Sequence, residues 1–212
     1  MLTDRQIDDL AERMKIPLEG CFFKDELPKR LNVNKVYIIN LQDSENDDGD
    51  QNMGTHWTMA YIRETPNGTI QPLYFDPYGC PPPENVKNII EKQCNKKCPY
   101  SHKDIQSLMN NACGFYCLAL AHFICASKYR SNDLYTDYDM FLDMFDDLNS
   151  SIDWKKNEYI LKMFFLSEDP SQRKDIDVFQ KHDFYDKILD EDEKGGKDIM
   201  KVPVDIKMMD KK

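Results

Sequence analysis

A histidine and an aspartate are placed by the predicted sheet so that they could act together in catalysis. His56 opens one strand-like run (56–64), and Asp76 lies in the next run (71–79), beyond a Pro-Asn-Gly turn at 66–68. Antiparallel pairing about that turn brings positions 56 and 76 opposite each other within a residue or two, with Cα atoms about 4.5–5.5 Å apart. A carboxylate beside an imidazole fixes its tautomer and stabilises its protonated form. The spacing therefore predicts a histidine oriented for general acid–base chemistry.

A cysteine at the start of an apolar segment is the candidate nucleophile. Cys113 follows the polar pair Asn110-Asn111 and begins the run CGFYCLALAHFICA. Free backbone N–H groups and the positive end of the helix dipole favour a thiolate at such a position. Gly114 leaves room there for a substrate backbone to approach. Gln106, seven residues before the cysteine, supplies a neutral amide donor that could stabilise a developing oxyanion.

Several helices and a small sheet must hold these residues in place. The segment 113–126 is apolar on almost every side, which is typical of a helix at the buried centre of a domain. Runs rich in β-branched and aromatic residues predict strands over 33–41, 56–64 and 71–79. Helical spacing predicts further helices over 1–20, 84–94, 134–148, 153–166 and 171–190. The predicted fold class is α+β, with a small, mainly antiparallel sheet packed on a central buried helix and further helices around it.

The length and the charge pattern predict the domain organisation. A chain of 212 residues is long enough for one domain with a real core and an appendage. After residue 167 the charge density rises and the apolar content falls. We therefore expect a single domain over 1–190 and a flexible tail of acidic and basic residues over 191–212.

The composition argues against several classes of partner. The net charge is −10, from 28 basic and 38 acidic side chains, and a field of that sign repels phosphate, so general nucleic-acid binding is not expected. The longest apolar stretch is too short to span a bilayer, and the first residues are polar and acidic, unlike a signal or transit peptide. We therefore expect an intracellular, soluble protein without membrane contact. Most of its seven cysteines are expected to be reduced.

The catalytic candidates lie in segments that resemble a family of viral proteases. The segment from Gln106 to Cys117, QSLMNNACGFYC, is very similar to the catalytic segment of the adenain family, the adenovirus maturation proteases. The pair His56-Trp57, followed by YFDPYG at 74–79, fits the same pattern. Together and in this order, these motifs are far more specific than any one of them alone.

Two earlier segments extend the resemblance. IPLEG (16–20) and DELP (25–28) are similar to adenain-like proteases of large DNA viruses, virophages and related transposons. The resemblance covers roughly residues 10–130. The ubiquitin-like-protein proteases share the order His, acid, Gln, Cys. The family resemblance implies a papain-like fold in which the catalytic residues occur in this permuted order, here His-Asp-Gln-Cys.

The resemblance assigns a role to each catalytic candidate. Cys113 is implied to be the nucleophile, and His56 the general base and later the general acid. Asp76 is implied to orient His56, and Gln106 to form the oxyanion hole with backbone N–H groups. The implied reaction is peptide hydrolysis by a cysteine protease through a thioester acyl-enzyme, with no metal or cofactor.

The resemblance also implies substrates and surroundings. Trp57 and Gly114 are expected to bind substrate, with Trp57 as a wall of the cleft. Related enzymes favour small residues, often glycine, just before the scissile bond. The implied function is cleavage of viral capsid or core precursor proteins at such sites during virion maturation, in the virus factory of the host cytoplasm and in the virion. The chain is expected to be a monomer, and an activating peptide is a further partner that the family allows.

Two other functions remain open from the sequence. A deconjugase that cuts ubiquitin-like modifiers after Gly-Gly would use the same chemistry on a different partner. A non-catalytic zinc-binding or scaffold module is an alternative of another class, because Cys94-x3-Cys98 and Cys113-x3-Cys117 have spacings that zinc sites use. In a zinc site Cys113 would be a ligand and could not serve as a nucleophile.

Overall fold

The fold is described by a computed structural model over residues 1–52, 54–108, 110–126, 130–148 and 154–165. These residues form a four-stranded mixed sheet and five helices, so the predicted α+β class is confirmed. The predicted helix over 171–190, the predicted tail over 191–212 and the expected domain boundary at 190 lie outside the described residues.

Four strands form one sheet in the order β1-β2-β3-β4. They are β1 (Leu18–Phe23), β2 (Val36–Asn40), β3 (Trp57–Glu64) and β4 (Ile70–Phe75). β3 pairs antiparallel with both β2 and β4, whereas β1 runs parallel to β2. Because β2, β3 and β4 are buried along almost their whole length, this part of the sheet forms one wall of the core.

The prediction of a helix over 1–20 is wrong at its C-terminal end, where residues 18–23 form β1. Pro17 and Gly20 are typical of the end of a helix, and the run LEGCFF (18–23) does not keep up an alternation of apolar and polar residues. The strand forms because β2 offers it a parallel partner, and the N–H group of Val36 donates to the Pro17 carbonyl at 3.0 Å. A local pattern does not predict such a pairing across the chain.

Five helices pack around the sheet. They are α1 (Asp4–Arg13), α2 (Glu84–Cys94), α3 (Cys113–Cys125), α4 (Leu134–Leu142) and α5 (Trp154–Met163). A capping box between Thr3 and Gln6 fixes the start of α1. α3 is buried on nearly every side, since all its residues from Cys113 to Ala121 are buried.

The prediction of a helix over 134–148 is too long, because α4 ends at Leu142. The chain continues in tight turns, in which Met144 N–H donates to Phe141 O at 3.2 Å and Phe145 N–H donates to Leu142 O at 3.1 Å. Phe145 still reaches the core, at 2% exposure. A turn, rather than a continuation of the helix, therefore carries Phe145 into the core.

β3 and α3 run side by side in the same direction. Near the start of both elements, the Cys117 thiol donates to the Trp57 carbonyl, with an Sγ–O distance of 3.4 Å. Near their ends, Nη2 of Arg63 donates to the Ile124 carbonyl at 2.6 Å. The helix dipole therefore presents its positive end to the start of β3 and its negative end to the end of β3. None of the helices in the described ranges is long and apolar enough to cross a membrane.

Candidate active site

The ends of β3 and β4 bring His56 and Asp76 into contact. His56 immediately precedes β3, and Asp76 immediately follows β4. Nε2–H of His56 donates to Oδ1 of Asp76 at 2.8 Å. The two side chains are 13% and 1% exposed, so their contact is shielded from most of the solvent. The structure thus joins the first two predicted catalytic residues.

The register of the hairpin explains how this contact is made. The strand pairs run as far as Met59 opposite Phe75, and the register is centred one residue later than predicted. If this register continues past that pair, His56 lies opposite Tyr78. Asp76 then lies diagonally across from His56. The rings of His56 and Tyr78 are stacked, with centroids 4.6 Å apart and planes 19° from parallel. The difference falls within the tolerance of a residue or two that the sequence prediction allowed.

A tight turn after β4 holds the carboxylate of Asp76. Tyr78 N–H donates to Oδ1 at 2.8 Å, and Gly79 N–H donates to the Asp76 carbonyl at 2.9 Å. Gly79 has φ +69°, and a Cβ there would lie 2.5 Å from the His102 carbonyl oxygen, so glycine is required. Oδ2 of Asp76 is buried without a hydrogen-bond partner among the described residues. A buried carboxylate with one oxygen left without a hydrogen bond favours a positive charge on the neighbouring imidazole.

Cys113 lies beside the imidazole at the start of α3. It is the first residue of the helix and is 2% exposed. The N-cap residue, Ala112, offers no side-chain hydrogen bond to the first turn. The sulfur therefore lies at the positive end of a helix whose first N–H groups have no side-chain cap. Cys113 lies close enough to His56 to raise the pKa of its imidazole, and because Nε2 of His56 is bonded to Asp76, Nδ1 is the nitrogen left for the sulfur.

The surroundings of His56 raise its pKa to about 9. Burial lowers this pKa, but hydrogen bonds to Asp76 and Cys113 and the negative charges of these two groups outweigh burial. The imidazole is therefore protonated at neutral pH. A protonated imidazole beside a thiol favours the imidazolium–thiolate pair that an activated cysteine requires.

Gln106 is completely buried, at 0% exposure, between the Asp76 turn and the start of α3. Its Nε2 donates to the Tyr78 hydroxyl at 3.1 Å and to the Asn110 carbonyl at 3.2 Å. Its backbone N–H donates to the Pro77 carbonyl at 3.3 Å. Oδ1 of Asn110 accepts from Ala112 N–H at 3.2 Å, which ties this group to the helix that carries the cysteine. Since both amide hydrogens are engaged within the protein, donation to an oxyanion requires the exchange of one contact.

The two predicted substrate-binding residues face the first residues of the chain. Trp57 is 4% exposed, and its indole N–H donates to the Leu2 carbonyl at 2.9 Å. A Cβ on Gly114 would lie 3.2 Å from the Leu2 side chain and 3.4 Å from the Trp57 ring. The space beside Gly114 is therefore filled by Leu2, which is 1% exposed. The substrate-binding role of Trp57 and Gly114 stays a prediction.

Three residues of the site have no role assigned by the sequence reasoning. Tyr78 lies within the YFDPYG motif, and its role could have been found by continuing the hairpin register beyond the strands. Asn110 could have been noticed from its position between Gln106 and the helix that begins at residue 113. Leu2 carries no local signal, because its contact with Trp57 joins residues 55 positions apart.

The other cysteines of the two zinc-like motifs lie in apolar surroundings. Cys117 is fully buried one turn after Cys113, and burial raises its pKa well above the ordinary value. Burial also raises the pKa of Cys98 to about 12. Throughout the part of the chain that the structure describes, no group of three or more His, Cys, Asp or Glu side chains could hold a metal ion. The four cysteines of the zinc alternative are therefore not brought together.

Comparison with known proteins adds no further assignment. The sequence matches no protein-family model. No curated protein matches it either. The functional interpretation therefore depends on the geometry of the site and on the resemblance of its motifs.

Proposed function

We propose that the chain is a cysteine endopeptidase that hydrolyses peptide bonds through a thioester on Cys113. One observation carries the proposal: Cys113, the first residue of α3, lies close enough to His56 to raise the pKa of its imidazole, and Nε2–H of the same imidazole donates to Asp76 at 2.8 Å. A thiol at a helix N-terminus, a base and an orienting carboxylate form the set that acyl transfer to cysteine needs. The buried Gln106 next to this set supports an oxyanion-binding role.

Acylation follows from the positions of these groups. The Cys113 thiolate attacks the carbonyl carbon of the scissile bond, and a C–S bond forms while the carbonyl oxygen becomes an oxyanion. Backbone N–H groups at the start of α3 and the Gln106 amide, released from one of its two contacts, stabilise that charge. The His56 imidazolium then donates its proton to the leaving nitrogen, and the C–N bond breaks.

Deacylation uses the same groups in the reverse roles. His56, now neutral, removes a proton from water as the water oxygen attacks the thioester carbon. The C–S bond breaks and restores the thiolate, while the proton remains on the imidazole. Asp76 holds the ring in one orientation through both steps, and its charge stabilises each imidazolium.

We propose further that the enzyme is of the adenain-like class, with a papain-like site in the permuted order His-Asp-Gln-Cys. Its substrates are viral capsid or core precursor proteins, cut at small-residue sites during virion maturation in the host cytoplasm and the virion. The motif resemblance supports the class. The 2% exposure of Cys113 and the filled space beside Gly114 support a preference for small side chains next to the scissile bond.

Incubation with the capsid and core proteins encoded by the same genome tests the proposal, with cut sites read by mass spectrometry. We expect cuts at internal small-residue sites, complete loss of cutting in Cys113→Ala, and full activity in Cys117→Ala. The second variant is a matched control, because it removes a thiol one helical turn away. Cleavage that survives in Cys113→Ala would refute the assignment, as would an intact, folded protein that cuts nothing. Cleavage confined to Gly-Gly fusions of ubiquitin-like modifiers would favour the deconjugase.

A further inference from the structure

Tyr78 contacts three of the four catalytic candidates through three different parts of its structure. Its backbone N–H donates to Oδ1 of Asp76 at 2.8 Å. Its ring is stacked on His56, with a centroid distance of 4.6 Å. Its hydroxyl oxygen accepts from Nε2 of Gln106 at 3.1 Å. Its side chain thus joins the base and the amide donor.

The backbone around Tyr78 is fixed from two sides. The Pro77 carbonyl accepts from Ile105 N–H at 2.9 Å and from Gln106 N–H at 3.3 Å. Gly79 lies so close to the His102 carbonyl that no side chain fits there. The turn and the segment that carries Gln106 are therefore bonded directly to each other, and Tyr78 lies where they meet.

We infer that Tyr78 is a positioning residue that sets the imidazole of His56 and the amide of Gln106 in a fixed relation to each other. This inference rests on the proposed protease function. Gln106 has a long side chain with several rotatable bonds, and the Tyr78 hydroxyl restricts it together with the Asn110 carbonyl. The stacked ring holds the plane of the imidazole and favours its cationic form. The hydroxyl and the ring therefore have separable tasks.

Two substitutions separate those tasks. Tyr78→Phe keeps the ring and removes the contact with Gln106, so we expect kcat to fall about 10-fold with an unchanged KM and pH profile. Tyr78→Leu removes both contacts, so we expect a loss of about 100-fold and a displaced pH profile, because the environment of His56 also changes. Tyr37→Phe is the matched control, since it removes a tyrosine hydroxyl that accepts from Asn32 N–H at 2.7 Å outside the site. It should leave kcat unchanged.

A double-mutant cycle identifies the group through which the hydroxyl acts. In a Gln106→Ala background, Tyr78→Phe should change kcat less than about two-fold, because the contact is already lost. An equal loss in both backgrounds would overturn the inference, and so would an unchanged kcat in Tyr78→Phe.

A spectroscopic measurement keeps this inference separate from the proposed function. The side-chain NH₂ signals of Gln106, assigned by their loss in Gln106→Ala, should shift and exchange faster in Tyr78→Phe. The His56 ring signals should move only in Tyr78→Leu. Unchanged Gln106 signals would refute the positioning role whether or not the chain cuts proteins. If the Gln106 signals shift in a protein that has no peptidase activity, the proposed function would be refuted, and the positioning of Gln106 by Tyr78 would still stand.

Discussion

At each end of the β3–α3 pair, a largely buried basic side chain contacts a buried carboxylate. At the first end, Nε2 of His56 lies 2.8 Å from Oδ1 of Asp76, and at the other Nη1 of Arg63 lies 2.7 Å from Oδ2 of Asp137. The two pairs resemble each other in distance and in the burial of the carboxylate. They differ in which end of the α3 dipole lies beside them. They also differ in whether the basic group can lose its proton.

At the Arg63 end, the basic side chain is held in place by hydrogen bonds to two helices. Nη2 of Arg63 donates to the Ile124 carbonyl at 2.6 Å, where the negative end of the helix dipole favours a cation. Oδ1 of Asp137 accepts from Ser131 N–H at 2.7 Å. Arginine stays charged at any pH at which the protein is folded. This pair therefore holds α3, α4 and β3 together and has no proton to transfer.

The His56 end keeps groups available for chemistry. Its basic group can gain and lose a proton, and Cys113 lies beside it at the positive end of the helix dipole. Oδ2 of Asp76 and Oε1 of Gln106 are buried without hydrogen-bond partners among the described residues. Nε of Arg63 is also buried without a hydrogen-bond partner among the described residues, so the two ends differ mainly in whether the basic group can titrate.

Arg63→Met should produce the largest loss of stability. The substitution leaves Asp137 buried and without its cation, so we expect the free energy of unfolding to fall by about 3–5 kcal/mol. Urea denaturation followed by circular dichroism measures the change. The peptidase activity of each folded molecule should stay the same, because Arg63 touches none of the catalytic candidates.

The double variant Arg63→Met/Asp137→Leu is the control for this prediction. It removes both charges, and most of the lost stability should return. A stability loss in the double variant as large as in Arg63→Met would show that packing, rather than the unpaired carboxylate, causes the effect.

Gln106→Ala should affect the rate more than the stability. If its amide serves the oxyanion, kcat should fall by about 10²–10³, which corresponds to roughly 2.7–4 kcal/mol of transition-state stabilisation. Steady-state kinetics on a peptide that contains an identified cut site gives the ratio. A change in KM alone would instead indicate a role in substrate binding.

Gln71→Ala is the matched control at the opposite end of the sheet. Gln71 is also a buried glutamine, and its Oε1 accepts from Leu134 N–H at 3.0 Å while its Nε2 donates to Asp133. We expect it to lower the stability and to leave kcat unchanged. Equal rate losses in the two variants would refute a specific role for Gln106.

The sequence predicted the parts of this arrangement that local patterns encode. α2 was predicted at 84–94 and lies at Glu84–Cys94, because its apolar residues recur at helical spacing and a proline run precedes it. α3 was recognised by its continuous apolar composition. The approach of His56 to Asp76 followed from hairpin register, which a turn signal fixes to within two residues.

The contacts that the sequence did not predict depend on tertiary packing. Strand β1 forms through a parallel pairing that its own residues do not specify. The contact of Leu2 with Trp57 and the contact of Tyr78 with Gln106 join elements that only the folded chain brings together. The Arg63–Asp137 pair was missed for the same reason, since its members are 74 residues apart.

The contributions of His56 and Arg63 to stability should depend differently on pH. The pKa of His56 is raised from 6.5 to about 9 in the folded chain, so its contribution to stability is fully present below pH 6.5 and is lost as the pH rises through 9. The difference in unfolding free energy between the protein and His56→Gln should therefore shrink by roughly 3 kcal/mol over this interval. The corresponding difference for Arg63→Met should stay constant, because the guanidinium does not titrate there. Urea titrations at pH 6, 7.5 and 9.5 measure both differences. A His56→Gln difference that is flat or grows with pH would mean that the imidazole is not held as a cation, and the contrast between the two ends would then fail.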